Sequence, residues 1–252
     1  MSVTATGSLE FAQARIGARW GEQPRDATWR RIEATRDLAG VLQIARTDPA
    51  LARWVDGIGH DTPLHALERT LRRHGRERVA EVSGWMPAAW QHAVAWCALL
   101  PDLPALQHLA RGEAAPAWMA DDVVLSPCLE GRPPHDARLR LLASAHGDPA
   151  SLLARWRQRW LALLPREPGR TRIERELLPL IERHAAAFAS PRTVDGPAAR
   201  EALRSRLVLL LRRAVSEPAV AFVYLATQLL ELERLRGELV QRAAFPAHGL
   251  AP

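Results

Sequence analysis

The chain has 252 residues and a mass of 28.0 kDa, and with 48% hydrophobic and 25% charged residues it can fold around a buried core. Its net charge is +6, and all 34 basic residues are Arg because no Lys occurs. The absence of Lys excludes a phosphate-binding P-loop, a Schiff-base lysine and a kinase lysine.

The hydrophobic spacing predicts helices along the whole chain. Ala and Leu are abundant, Val and Ile are scarce, and apolar residues recur at every third or fourth position. We therefore expect an all-α, multi-helical fold, with helices at 8–20, 26–45, 49–56, 63–74, 76–82, 87–100, 104–111, 136–145, 149–164, 171–189, 197–215 and 218–243.

Several of these helices begin at a polar residue followed by Pro. Asp48-Pro49, Thr62-Pro63, Asp148-Pro149 and Glu217-Pro218 have this form, and Ser8 precedes the first predicted helix. A short polar side chain can accept a hydrogen bond from a free amide of the first turn, and Pro loses nothing at the first helical position. The pattern predicts helix caps at these residues.

The organisation of the chain is predicted from its proline content and from a weak repeat. Four prolines between 113 and 135 indicate a linker or long loop that separates an N-terminal helical unit, 1–112, from an Arg-rich C-terminal unit, 136–252. Ala93–Trp96 matches Ala219–Phe222, and the leucines that follow each segment stay in register at an offset of 126 residues. We expect two related helical units.

The charge distribution and the cysteine content indicate the kind of partner and the cellular compartment to expect. Residues 1–126 hold 14 Arg against 15 acidic residues, whereas 127–252 hold 20 against 13, so an anionic partner is expected at the second half. Cys97 and Cys128 form no CxxC motif, which fits a reducing cytoplasm. No leader peptide and no apolar run of about 20 residues is evident, so we expect a cytoplasmic protein.

A search for reactive side chains yields one weak cluster. His60 and His65 flank the Thr62-Pro63 helix start, and Glu68 lies one turn further, so a metal site formed by these residues is one hypothesis. The HxxxH spacing of two ligands on one helix is absent, as are a GxSxG elbow and a GxGxxG loop. We predict no catalytic residue, no cofactor-binding residue and no resident metal or cofactor.

Arginine alternates with tryptophan in 155–160. A helix with this pattern on its surface could bind nucleic acid by phosphate contact and base stacking. An Arg-rich helical nucleic-acid-binding protein is therefore an alternative function, and a metal-dependent enzyme that uses His60, His65 and Glu68 is a second.

The segment from Glu217 to Arg242, EPAVAFVYLATQLLELERLRGELVQR, resembles the last long helix of the C subunits of V/A-type rotary ATPases, which are called d subunits in the eukaryotic V-ATPase. Val94 to Gly112 resembles an equivalent repeat of that family through Asp102 and its leucines, and FAQARIGARW is similar to the first helix of the family, with Ala14-Arg15 in place. The C-terminal resemblance rests on Pro218, Phe222, Tyr224, Leu225, Glu231, Leu235 and Arg236.

The resemblance implies a mechanical function. Proteins of this family are funnel-shaped, repeat-built helical adaptors that bind no nucleotide and connect the central stalk of the soluble motor to the membrane rotor ring. It implies a non-catalytic adaptor for ATP-coupled ion transport, with other rotary ATPase subunits as partners and no nucleic acid. Such a protein is peripheral at the cytoplasmic face of the membrane, where protein partners alone hold it.

Overall fold

The computed structural model describes residues 8–129, 138–140, 149–167, 170–189 and 195–245. In these residues the secondary structure is helical and contains no strand, so the predicted all-α, multi-helical fold is confirmed. The α-helices are α1 Leu9–Trp20, α2 Asp26–Ala34, α3 Leu38–Thr47, α4 Pro49–Ala52, α5 Leu64–Trp85, α6 Ala88–Trp96, α7 Leu103–Ala110, α8 Ser126–Leu129, α9 Pro149–Leu163, α10 Arg170–Arg172, α11 Leu178–Ala189, α12 Gly196–Arg213 and α13 Ala219–Ala244. Cys97–Asp102 and Ala117–Met119 are 3-10 helices, and Ile173–Leu177 is a π-helical segment.

Short polar side chains begin four of the helices. Ser8 accepts a hydrogen bond from the amide of Phe11, and Asp48 accepts from Ala50 and Leu51, as the sequence predicts. Asp37 and Asp195 cap α3 and α12 in the same way. Each of these bonds satisfies an amide that has no partner inside its helix.

Two of the predicted caps have other partners. The Thr62 hydroxyl accepts from the amide of Gly59 at 2.7 Å, so it closes the preceding turn. The Glu217 carboxylate binds Arg172. Asp148 lies outside the described residues.

The predicted ends of the middle helices need correction. The sequence predicts separate helices at 63–74 and 76–82, but α5 continues through Gly75 because buried Leu71 and Val79 anchor the helix on both sides of the glycine. The predicted helix 26–45 is two helices, because the Thr35 hydroxyl donates to the carbonyl of Arg31 and Asp37 starts a new helix.

Other predicted helices change in length or type. Helix 49–56 shortens to α4, and 87–100 becomes α6 followed by the 3-10 helix Cys97–Asp102, whose Pro101 lacks an amide hydrogen. Of 136–145 only 138–140 are described, and they are helical. The last helices lie within about two residues of their predicted positions, with the π-helical segment inserted between α10 and α11.

The described helices form two compact units, each made of three chain segments. The first unit comprises Met1–Gly21, Val79–Ala95 and Ala162–Glu231. In its core Trp85 packs against Tyr224 at 6.4 Å between ring centroids, and Trp90 packs edge-on against Phe222 at 6.2 Å. In the same unit α11 packs against α12.

The second unit comprises Glu22–Arg78, Trp96–Leu161 and Leu232–Pro252. Trp96 and Trp156 each donate an indole hydrogen bond to the backbone carbonyl of the other, at 3.0 and 3.4 Å. Trp156 also stacks on Trp160 at 5.4 Å. Among the nine Trp of the chain, eight are buried, so tryptophan serves mainly as a core residue in both units.

This grouping differs from the sequential division at 112 and 136. Residues 116–129 of the proposed linker pack into the second unit, where Trp118, Met119 and Leu125 are buried. Residues 130–137 lie outside the described part. The division into 1–112, 113–135 and 136–252 stays a prediction. None of the helices in the described part combines the length and the apolar character needed to cross a bilayer.

Candidate functional site: a buried arginine–carboxylate network

Two arginines one turn apart on α5 point into the second unit and meet a fully buried carboxylate. Arg76 donates from Nε and Nη2 to the two oxygens of Asp102, each at 3.0 Å. Arg72 donates from Nη1 to Asp102 at 3.4 Å and also to the carbonyl of Pro101. The 3-10 helix Cys97–Asp102 places the carboxylate there, and its exposure is 0%.

A second buried carboxylate lies on the other side of Arg76. Asp122 accepts from Arg76 Nη1 at 3.1 and 3.0 Å and also from the amides of Val124 and Leu125 at 2.9 and 3.1 Å. One guanidinium therefore joins Asp102 to Asp122, which lies in the segment predicted to be a linker. Bidentate pairs of this kind fix orientation as well as charge.

The same group of charges includes a residue of α13. Arg236 donates from Nε and Nη2 to Glu68 at 2.7 and 2.5 Å, and Glu68 also lies 3.9 Å from Arg72. The Arg72 guanidinium lies over the Trp118 ring, 4.1 Å from its centroid. We call Glu68, Arg72, Arg76, Asp102, Asp122 and Arg236 the arginine–carboxylate network.

Burial and opposite charges compete for the ionisation of this network. Burial raises the pKa of Asp102, and the hydrogen bonds from Arg76 oppose that rise. Burial alone lowers the pKa of Arg76, but Asp102 and Asp122 raise it overall. Burial lowers the pKa of Arg72. Guanidinium groups stay protonated in proteins, so Arg72 and Arg76 keep their positive charge inside the network.

The geometry suits structural cross-linking. The network ties the middle of α5 to the 3-10 helix, to the segment around Asp122 and to α13, which lie 26 to 168 residues apart in sequence. Buried ion pairs of this kind gain little net stability, but removal of one partner is costly because the other charge stays buried. The arrangement therefore favours one particular packing of these segments.

The three residues of the metal-site hypothesis do not form a metal-binding group. His60 and His65 are exposed, whereas Glu68 is buried and paired with Arg236. Within the described residues no group of three or more His, Cys, Asp or Glu side chains is placed to hold a metal ion. The enzyme alternative therefore has no metal site at His60, His65 and Glu68 in the described part of the chain.

The two cysteines are free thiols. Cys97 lies in the apolar core, and burial raises its pKa to about 12. Burial and the nearby Asp102 also raise the pKa of the Cys128 thiol. A thiol with a raised pKa is a poor nucleophile at neutral pH.

The alternating Arg and Trp residues of α9 point in different directions. Trp156 and Trp160 are 5% and 4% exposed, while Arg157 and Arg159 are exposed. The rings pack in the second unit, so they are not available to stack on bases. This helix retains only the electrostatic part of the predicted nucleic-acid surface.

The α13 residues that carry the family resemblance are mostly buried, and two of them are charged. In the first unit Phe222, Tyr224 and Leu225 lie in the core, and Glu231 accepts from Arg204 Nε at 3.2 Å. In the second unit Leu235 is fully buried.

Sequence reasoning misses three of the six residues of the network. It does not identify Arg72, Arg76 and Asp122, because an i, i+4 arginine pair on a helix and a carboxylate in a Pro-rich segment are ordinary on a solvated surface. The available signal is the hydrophobic stripe of α5, since Arg72 is next to Leu71, and both Arg72 and Leu71 are buried.

No family model matches the chain, and no curated protein and no solved structure gives a significant match.

Proposed function

We propose that this chain is a non-catalytic helical adaptor in the central stalk of a V/A-type rotary ATPase. It connects the soluble motor to the membrane rotor ring for ATP-coupled ion transport. Its partners are other rotary ATPase subunits, and it is held at the cytoplasmic face of the membrane by those proteins.

The observation that carries the proposal is the position of the charged residues of α13. Glu231 binds Arg204 in the first unit, and Arg236 binds Glu68 in the second. Glu231 is 3% exposed and Glu68 is 6% exposed. The positions on which the resemblance rests are thus structural ones, which suits a protein whose task is to transmit force.

The arginine–carboxylate network supports the same function. An adaptor that transmits torque needs helices that keep their relative positions under load. Fixed, buried charges with bidentate hydrogen bonds resist sliding, because any displacement leaves a carboxylate or a guanidinium unpaired in the core.

The test is purification of the tagged full-length chain from gently solubilised native membranes. We expect the catalytic and stalk subunits of a rotary ATPase to co-purify in fixed ratio, and a tagged unrelated helical protein to recover none. Recovery of the folded chain without any of these subunits would overturn the proposal.

Deletion of the gene gives a second test. Inverted membrane vesicles from the deletion strain should lose ATP-driven ion uptake, and the released soluble motor should still hydrolyse ATP. Uptake that persists at the wild-type rate would contradict an adaptor function.

A further inference from the structure

In the first unit one face of α12 is exposed. Its buried residues, Leu203, Leu207, Leu210 and Leu211, form one stripe. On the opposite side Leu209 is 55% exposed, and Arg206, Arg212 and Arg213 lie around it within about one turn on either side. Just beyond the helix Val215 is 64% exposed.

Little of the positive charge of this face is paired with acidic residues of the described part. Arg206 and Arg212 form no ion pair within the described residues. Arg213 approaches Glu176 only at 4.0 Å, with 70% of the Arg213 side chain exposed. Glu201, the acidic residue of the helix, contacts Arg204 and Ser205 instead.

We propose that this surface, the cationic face formed by Arg206, Leu209, Arg212 and Arg213, binds an acidic amphipathic helix of a partner protein. The arginines can pair with carboxylates of the partner, and the exposed Leu209 between them can pack against an apolar side chain of the same partner helix. Arg206 and Arg213 are seven residues apart, which is about 10 Å along the axis, so acidic residues spaced by two helical turns match them.

The exposed Leu209 favours an acidic helix with an apolar face over a polyanion that has no apolar face. Carboxylates on a partner helix increase the association rate and fix the register of binding. Burial of Leu209 adds affinity that salt does not screen. The inference does not depend on the rotary ATPase assignment, because the surface selects a partner by chemistry alone.

The experiment measures binding of a fluorescein-labelled 22-residue peptide by anisotropy at 50 and 300 mM salt. The peptide is helical, with leucines on one face flanked by glutamates. A scrambled peptide of the same composition has no apolar face. We expect the amphipathic peptide to bind at least tenfold more tightly than the scrambled one, and to keep measurable binding at 300 mM salt.

Matched variants of the full-length chain locate the site. R206E/R213E should weaken binding at least tenfold and L209S at least threefold. Two control variants change exposed residues elsewhere. R30E/R31E reverses two arginines on α2 of the second unit with the same change in net charge, and L153S replaces another exposed leucine. Both controls should bind the amphipathic peptide with an affinity within twofold of that of the wild type. Circular dichroism checks the folding of each variant, and R206Q/R213Q provides a milder change.

Three outcomes overturn the inference. The first is that the scrambled peptide binds as tightly as the amphipathic one. The second is that R30E/R31E loses as much peptide affinity as R206E/R213E. The third is that duplex DNA or anionic lipid vesicles bind more tightly than the amphipathic peptide, with the same dependence on Arg206 and Arg213. Because the peptide assay needs no other protein of the motor, its failure is distinguishable from failure to co-purify with a rotary ATPase.

Discussion

Arg76 is the residue that pairs with both buried aspartates of the arginine–carboxylate network. Three of its nitrogens donate to Asp102 and Asp122, which are 0% and 1% exposed. A single guanidinium can serve both carboxylates because its donors lie in one plane and point in different directions. Neither a lysine nor a hydrophobic residue can reproduce this geometry.

Replacement of Arg76 by Met should destabilise the protein strongly. It leaves Asp122 without a cation and Asp102 with Arg72 alone, and an uncompensated buried charge costs about 3–5 kcal/mol. Urea unfolding followed by circular dichroism measures the change in the free energy of unfolding.

The control for this variant is Arg73→Met, at an exposed position of the same helix. Arg73 pairs with Glu77, and both side chains are more than half exposed, so its loss should change the free energy of unfolding by less than about 1 kcal/mol. In the R76M background, D102N/D122N should restore part of the lost stability. An R76M effect no larger than that of R73M would mean that the network carries no buried charge.

At the scale of the element, the sequence predicts the caps at Ser8 and Asp48 correctly, whereas the predicted caps at Thr62 and Glu217 have other partners. The caps at Ser8 and Asp48 depend on local hydrogen bonds, so a few neighbouring residues determine them. The continuity of α5 through Gly75 and the break of 26–45 at Thr35 depend on competition between local bonds and packing that the linear pattern does not contain.

The turn between α12 and α13 is tied to an earlier element in the first unit. Arg172, at the end of α10, donates to Glu217 from Nε and Nη2 at 2.7 and 2.8 Å. The hydrogen bond from Arg172 lowers the pKa of Glu217 below its ordinary value of 4.5, against the opposing effect of burial. The ionised carboxylate is therefore favoured in the folded state.

This shift predicts how stability depends on pH. A carboxylate with a lowered folded-state pKa stabilises the fold fully above its unfolded pKa, and the contribution is lost as pH falls through the folded pKa. At pH 7, E217Q should be less stable than wild type by about 1 kcal/mol, and the difference should shrink as pH falls below 4.5. Urea unfolding at several pH values measures it.

Glu174→Gln is the matched control for E217Q. Glu174 pairs with Arg170 within one turn, and its side chain is 38% exposed, so its effect should stay near 0.3–0.5 kcal/mol, about the value of an exposed helical pair. An E217Q difference that is constant from pH 7 to pH 3 would show that the hydrogen bond does not depend on the charge of Glu217.

At the scale of the whole molecule, composition predicts the fold class but not the partners of the charged residues. An Ala- and Leu-rich chain with a three-to-four residue period forms helices whatever its tertiary contacts. Glu68 and Arg236 are 168 residues apart, and Asp122 lies in a segment whose prolines indicate a linker, so their pairings follow from the packing of the helices alone. The candidate site is therefore largely invisible in the linear sequence.

The net charge of +6 and the burial of eight of nine tryptophans together predict the affinity of the protein for nucleic acid and its dependence on salt. Arginine charge should give weak binding at low salt that falls steeply as salt rises, because phosphate contacts release counterions. Buried rings cannot stack on bases, so single-stranded DNA should bind no more tightly than duplex DNA and should leave tryptophan fluorescence unquenched. Anisotropy and fluorescence titrations at 20 to 200 mM salt, about the range over which such contacts weaken, measure both properties. A tenfold preference for single strands with quenching would favour the nucleic-acid-binding alternative over an adaptor.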